Sequence, residues 1–228
     1  MFSLTDLSRQ LGEPIAFPDH TVPVTGVSID SRSLKGGHLF IALPGCRVDG
    51  HSFLETAFKN GAAGAIVTRK FLADHPQPQP GYRNLIAVED PVASLGRMAA
   101  WYRSRFDITA VGITGSVGKT TTKEFLNYLL NKKYPVLATR GNLNNHLGLP
   151  LTVLGLRPEH RFCIAELGAN HTGEIRYLAK ILQPNAAMIT RICPVHVEGF
   201  GSLDAIYDAK TELFEPLQPG ARVVLPDD

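Results

Sequence analysis

Along the chain, apolar positions fall into short β-branched runs separated by segments with helical spacing. The N-terminal MFSLTDLSRQLGEP carries charges every few residues and predicts a short amphipathic helix. Strand-like runs follow at residues 22–29 and 38–43, flanking a turn that contains Gly36 and Gly37. A polar loop, GCRVDGH, leads into a helix predicted over residues 52–60, which stops at Gly61. Apolar runs at 63–68 and 85–88 bracket residues 74–83, a stretch with three prolines that reads as an exposed loop.

A second alternation begins with a helix at 91–106, where Leu95, Met98, Ala99 and Tyr102 recur at helical spacing. Trp101 and Tyr102 are expected to pack against the following strand rather than to meet a ligand. Further strands are predicted at 134–138, 162–167, 186–192 and 222–225. A helix is predicted at 202–217, with Ser202 as its cap and Asp204 in its first turn. Alternation of this kind gives an α/β fold with mostly parallel sheets. A boundary near Asp90 separates a small α/β domain, residues 1–90, from a second sheet with flanking helices, residues 91–228.

The second sheet is organised around residues 108–122, ITAVGITGSVGKTTT. An apolar run leads into Gly112, Gly115 and Gly118, then Lys119 and three threonines, then the helix-forming KEFLNYLLNKK. The three glycines are expected to turn the backbone and aim its N–H groups at an anion, aided by the positive end of the helix. Lys119 can reach β- and γ-phosphates, and the Thr120 hydroxyl is placed to ligate Mg²⁺. The spacing is G-x-x-G-x-x-G-K-T-T, with Ile113 where the strict phosphate-loop pattern has glycine. A glycine-rich turn that only joins strand to helix is the plainer alternative.

Composition narrows the setting. Of 228 residues, 44% are hydrophobic and 19% charged, as in ordinary globular proteins, and a net charge of +2 implies no nucleic-acid partner. Cys46, Cys163 and Cys193 are too scattered for a disulfide framework or a zinc site, and a reducing compartment is expected. No stretch reads as a signal peptide or a membrane span, so a cytoplasmic protein is expected.

Other candidates gather around the loop. Asn142, Asn144 and Asn145 cluster in GNLNN, more amides than a turn needs, although a turn remains possible. Glu166 lies near the carboxyl end of the apolar run FCIAEL, at the sheet edge that faces ligands in α/β folds, placed for Mg²⁺; a solvated strand-end carboxylate is the alternative. His196 and Glu198 lie just past the next strand. Lys210, inside YDAKTELF, reads on composition alone as a surface lysine.

Taken together, VSIDSR, GGHLFIALPG, DGH, GITGSVGKTTT, GNLNNHLGLPLT, ELGANHTGEI, PVHVEGFGS and YDAKTELF resemble the Mur ligases of bacterial cell-wall synthesis, in the family's order and over almost the whole chain. GNLNN and ELGANH resemble the branch that adds D-alanyl-D-alanine. The resemblance implies ATP-dependent amide formation on UDP-N-acetylmuramoyl-tripeptide through an acyl phosphate, with D-alanyl-D-alanine as the amine, by a monomer. It implies that Gly115, Ser116, Gly118, Lys119, Thr120, Thr121 and Asn142 hold the nucleotide, and that Asn144 and Asn145 hold substrate. Thr120 and Glu166 would bind a first Mg²⁺. His196 and a carbamylated Lys210 would bind a second, so that Lys119, His196 and Lys210 are the expected catalytic set. Ser31, Arg32, Asp49 and His51 would hold the UDP-sugar.

The family also has a third, C-terminal domain, whereas this sequence stops at Asp228, inside what resembles the central domain. An N-terminal domain with an incomplete central domain, inactive on its own, is therefore expected. Two rivals remain. One is a short form that binds UDP-muramoyl peptide or nucleotide without ligating. The other is a small-molecule kinase, which leaves GNLNN, PVHVEGFGS and YDAK unexplained.

Overall fold

The computed structural model describes residues 2–19, 23–45, 48–77, 79–194 and 200–227. The chain divides into two compact units, Met1–Met98 and Ala99–Asp228, each built on a five-stranded sheet.

The first unit opens with α1 (Leu4–Leu11), whose start is fixed by the Ser3 hydroxyl accepting the Asp6 N–H at 3.0 Å and whose end is fixed by Gly12. Leu7 and Leu11, four residues apart, are its buried face. The elements β1 (Ile15–Ala16), β2 (Gly26–Ser28), β3 (His38–Ile41), α2 (Leu54–Lys59), β4 (Gly64–Thr68), α3 (Arg69–Asp74) and β5 (Leu85–Val88) follow. The sheet runs β1-β5-β4-β3-β2, with β2 to β5 parallel and β1 antiparallel at one edge. The internal strands β3 and β4 carry Leu39, Phe40, Ile41, Ala65, Ile66 and Val67, all buried, as internal parallel strands require. Phe40, Ala42, Leu54, Ala57 and Val67 form one packed cluster. At about 1.5–3 kcal/mol for each fully buried large aliphatic or aromatic side chain, such clusters are the main stabilising contribution.

Helix α4 (Pro91–Arg103) starts where Asp90 Oδ1 accepts the N–H groups of Val92 and Ala93 at 2.7 and 3.1 Å, with proline at the first helical position. The second unit continues with β6 (Thr109–Thr114), α5 (Lys119–Asn131), β7 (Val136–Ala138), α6 (Gly148–Val153), β8 (Phe162–Glu166), α7 (Glu174–Leu182), β9 (Ala186–Ile189), α8 (Leu203–Thr211) and β10 (Arg222–Val224). All its strands are parallel, in the order β10-β9-β6-β8-β7. The α/β class with mostly parallel sheets is as the alternation predicts. Tyr102 is buried, its ring meets Phe106 edge-on, and its hydroxyl donates to the Leu156 carbonyl at 3.0 Å.

Three helices escape the pattern. α3 is six residues long, and Phe71 and Leu72, which lean on the core cluster, are too few to show a helical period. Pro150 lies in the first turn of α6, where proline is tolerated although it reads as a breaker. In α7 the stripe Ile175, Leu178, Ala179 and Leu182 is clear once the helix is seen, but the polar ANHTG ahead of it hides the start. The single helix predicted over 202–217 is α8 followed by a tighter turn at Glu212–Phe214.

Candidate nucleotide and metal site

Parallel strands bring their carboxyl ends to one rim, and the phosphate loop rises from the central strand, β6. One expectation needs correcting. Gly112 does not turn the chain; it lies inside β6, and its missing side chain leaves room for Leu213, whose Cδ1 sits 2.8 Å from where a Cβ would be. The turn is made by Gly115 (φ 144°) and Gly118 (φ 87°). A Cβ on Gly115 would run into Thr190 Oγ1 and the Arg191 backbone. The loop is pinned to the segment after β9: Ser116 Oγ donates to the Cys193 carbonyl at 2.9 Å and accepts its N–H at 3.1 Å, and Thr190 Oγ1 donates to the Val117 carbonyl at 2.6 Å. The N-cap of α5 is Gly118, which has no side chain to offer the first N–H groups of the helix, and the positive end of α5 opens onto the loop. Lys119 Nζ curls back over the loop, donating to the carbonyls of Gly115 at 2.8 Å and Ser116 at 3.2 Å. Burial pulls its pKa below the ordinary lysine value, opposed by the Glu166 carboxylate.

Glu166, the last residue of β8, is 3% exposed, which overturns the solvated-carboxylate alternative. The Thr120 hydroxyl donates to its Oε2 at 2.8 Å, and Asn144 Nδ2 donates to its Oε1 at 2.8 Å. A carboxylate and a hydroxyl, both hard oxygen donors, thus meet beside the phosphate loop. That fits Mg²⁺, which takes one or two protein oxygens and completes its shell with water and phosphate. Among the described residues no cluster of three His, Cys, Asp or Glu side chains is present.

A cleft of about 520 Å³ opens beside the loop, and its lining includes Ser116, Lys119, Asn144, Asn145, Glu174 and Lys210. Lys210 corrects the surface reading: it is 3% exposed, on α8. Burial, and then the neighbouring Lys119 cation, push its pKa down to about 8, and its Nζ lies 5.1 Å from the centre of the Phe200 ring. Two lysines facing one cleft prepare it for an anion. Asn145 already has a local task, its Oδ1 accepting the Leu147 and Gly148 N–H groups at the start of α6. Asn142 is exposed, with its carbonyl accepting the Asn144 N–H at 2.8 Å, and Thr121 is exposed on α5. His196 and Glu198 lie outside the described residues.

Sequence reasoning misses three buried polar residues here: Lys123, Thr139 and Glu212. Each looks like an ordinary helix or strand-end residue, and their importance comes from contacts distant in sequence.

In the first unit, Ser31, Arg32, Asp49 and His51 all follow the carboxyl ends of β2 and β3, the ligand-facing rim of a parallel sheet. Arg32 is exposed and pairs with Asp30 at 2.8 and 3.0 Å, which holds the Asp30 carboxyl down at about 2. The buried Ser31 offers its carbonyl to Asn60 Nδ2 at 2.8 Å. His51 Nε2 accepts the Thr68 N–H at 3.0 Å, so Nδ1 carries the proton and donates to Asp49 Oδ1 at 2.6 Å.

The comparisons with known proteins fall on the same two units. The Mur ligase middle domain matches residues 113–228, and the model described as Mur ligase family, catalytic domain, matches residues 23–103. The chain belongs to the Mur ligase family. Among relatives of this Mur ligase chain, the UDP-N-acetylmuramoyl-tripeptide–D-alanyl-D-alanine ligase of Haemophilus influenzae is 41% identical over 87% of this chain and 43% of its own length. The crystal structure of MurF from Acinetobacter baumannii superposes with a TM-score of 0.88 at 35% identity, covering 100% of this chain and 49% of that one. MurF from Thermotoga maritima, solved in complex with ADP, gives a TM-score of 0.77 at 33% identity over 89% of this chain and 46% of that one. The chain spans about half the length of the curated relatives it matches. No helix among the described residues is long and apolar enough to cross a membrane.

Proposed function

We propose that this chain carries the substrate-recognition and phosphate-handling parts of an ATP-dependent amide ligase that joins D-alanyl-D-alanine to UDP-N-acetylmuramoyl-tripeptide. ATP gives its γ-phosphate to the terminal carboxylate of the tripeptide. The dipeptide amine then attacks the acyl phosphate, the amide bond forms, and phosphate leaves. The observation that carries this reading is the 2.8 Å contact of Thr120 with Glu166 beside a phosphate loop whose Lys119 shares a cleft with Lys210.

In this reading the N–H groups from Gly115 to Thr121 cradle the phosphates, with Asn142 beside the nucleotide. Lys119 exchanges its two carbonyl partners for the β- and γ-phosphates. Thr120 and Glu166 hold Mg²⁺, which neutralises charge on the transferring oxygens. Lys210, as a carbamate, and His196 hold a second Mg²⁺. Asn144 and Asn145 meet the substrate. Residues 1–90 bind the UDP-sugar through Ser31, Arg32, Asp49 and His51, while residues 91–228 hold ATP. The lowered pKa of Lys210 supports its modification: the free amine adds to CO₂, a C–N bond forms, and the proton is lost to water.

Calorimetry of this chain with Mg·ADP tests the assignment. Lys119→Ala should weaken binding on the order of tenfold or more, the loss of charge-assisted hydrogen bonds. Equal affinity in the two proteins would overturn the phosphate-loop reading.

A further inference from the structure

Lys123 is among the largest side chains in the protein with no solvent exposure, and it lies one helical turn beyond Thr120 on α5. A buried ammonium is costly unless it is fully engaged, and replacing such a charge by an apolar side chain of similar size often leaves stability unchanged. The bonds Lys123 makes point to the metal site. Its Nζ donates to the Thr139 carbonyl at 2.7 Å and pairs with Glu124 at 2.6 Å. Thr139, 2% exposed, just past the end of β7, is joined to β8 twice: its N–H donates to the Ile164 carbonyl at 3.0 Å, and its Oγ1 accepts the Glu166 N–H at 3.0 Å. Glu166 in turn accepts the Thr120 hydroxyl.

These bonds close a ring: Lys123 to Thr139, Thr139 to Glu166, Glu166 to Thr120, and Thr120 back to Lys123 through one turn of α5. We propose that Lys123 is a positioning residue for the metal site, locking through Thr139 the distance between the Thr120 hydroxyl and the Glu166 carboxylate. It touches neither nucleotide nor metal. Thr139 is the intermediate, since one residue fixes both the Lys123 ammonium and the Glu166 backbone. The inference rests on the reading of Thr120 and Glu166 as the residues that hold Mg²⁺.

The test measures ADP affinity of the whole chain with Mg²⁺ and with EDTA, and Mn²⁺ affinity by electron paramagnetic resonance. In Lys123→Met, Mn²⁺ affinity and the Mg²⁺-dependent gain in ADP affinity should fall about 10- to 100-fold, as for other groups that orient metal-binding side chains, while ADP affinity in EDTA stays within about twofold. Thr139→Val, which keeps Lys123 and its carbonyl partner, should give the same split, and the double variant should lose little more than either single one. If Lys123→Met does not fold, Thr139→Val alone decides. Unchanged metal affinity in a folded variant, or equal losses with and without metal, overturns the positioning role. A parent chain whose ADP affinity Mg²⁺ does not raise overturns the metal-site reading itself, and the inference with it.

Discussion

Glu212 accepts the backbone N–H of Gly173 at 2.7 Å, and its other carboxylate oxygen accepts that of Arg176 at 3.0 Å. A residue 39 positions away in sequence thus caps α7, whose first turn lines the cleft. Glu212 follows Lys210 by two residues, so one short segment carries both the buried lysine and the carboxylate that holds the facing wall. Arg176 adds a paired contact to Glu215 at 2.6 and 2.7 Å.

Removing this cap should be costly. Glu212 is 3% exposed, and Glu212→Ala takes the carboxylate acceptor from two part-buried N–H groups. The expected loss is about 2–3 kcal/mol, a cap plus the desolvation of an unpaired donor. Glu212→Gln keeps one good acceptor and should cost roughly half as much. Urea denaturation followed by circular dichroism measures both, and an Ala variant as stable as the parent would show that α7 does not depend on this carboxylate.

In the first unit the corresponding stake is Asn84, 1% exposed with φ 51°. Its Oδ1 accepts the Asp19 N–H at 2.7 Å, and its Nδ2 donates to the Asp19 and Ala63 carbonyls, each at 2.8 Å. The side chain stitches the entry to β5 onto two other segments and offsets the strain of a left-handed backbone. Asn84→Ala loses all three bonds and keeps the strain, and should destabilise by about 3–5 kcal/mol. Asn84→Gly relieves the backbone and should cost less than Ala, reversing the usual order of the two substitutions. Thermal melting of both variants checks that order.

The sheet elements and the phosphate loop were legible because their signals are local. β-branched runs, glycines beside a lysine, and a carboxylate at a strand end each act over a few residues. Glu166 was found that way. What held Glu166 in place was not: Thr139 lies 27 residues away and Lys123 bonds across 16. A lysine in KTTTKEF reads as helix surface, and only the sheet order, with β7 beside β8, turns it into a buried group. Lys210 reads as a surface residue for the same reason: its segment YDAKTELF is mixed in polarity, and burial comes from the neighbours packed over it. Gly112 reads in the opposite direction, as a turn glycine, because spacing does not distinguish a backbone that bends from one that must let Leu213 approach.

The carbamate proposed on Lys210 would depend on pH in a definable way. Its folded pKa of about 8 lies below the ordinary 10.5, so the folded chain binds fewer protons than the unfolded chain between those values. Burying the ammonium therefore costs stability below pH 8, and the cost fades as pH rises from 8 to 10.5. The same shift sets the supply of free amine. At fixed dissolved CO₂, the neutral fraction of Lys210 rises about tenfold per pH unit up to its pKa and then levels off. With ¹³C-labelled CO₂, nuclear magnetic resonance should show a carbamate signal that grows along this curve, while surface lysines, with pKa values near 10.5, respond only at higher pH. Lys210→Arg should abolish the signal. It should also remove the rise in stability between pH 8 and 10.5, because a guanidinium stays charged throughout. A carbamate signal that survives Lys210→Arg, or none in the parent chain, would remove the carbamate from the proposed mechanism and leave Lys210 as a buried cation facing the phosphates.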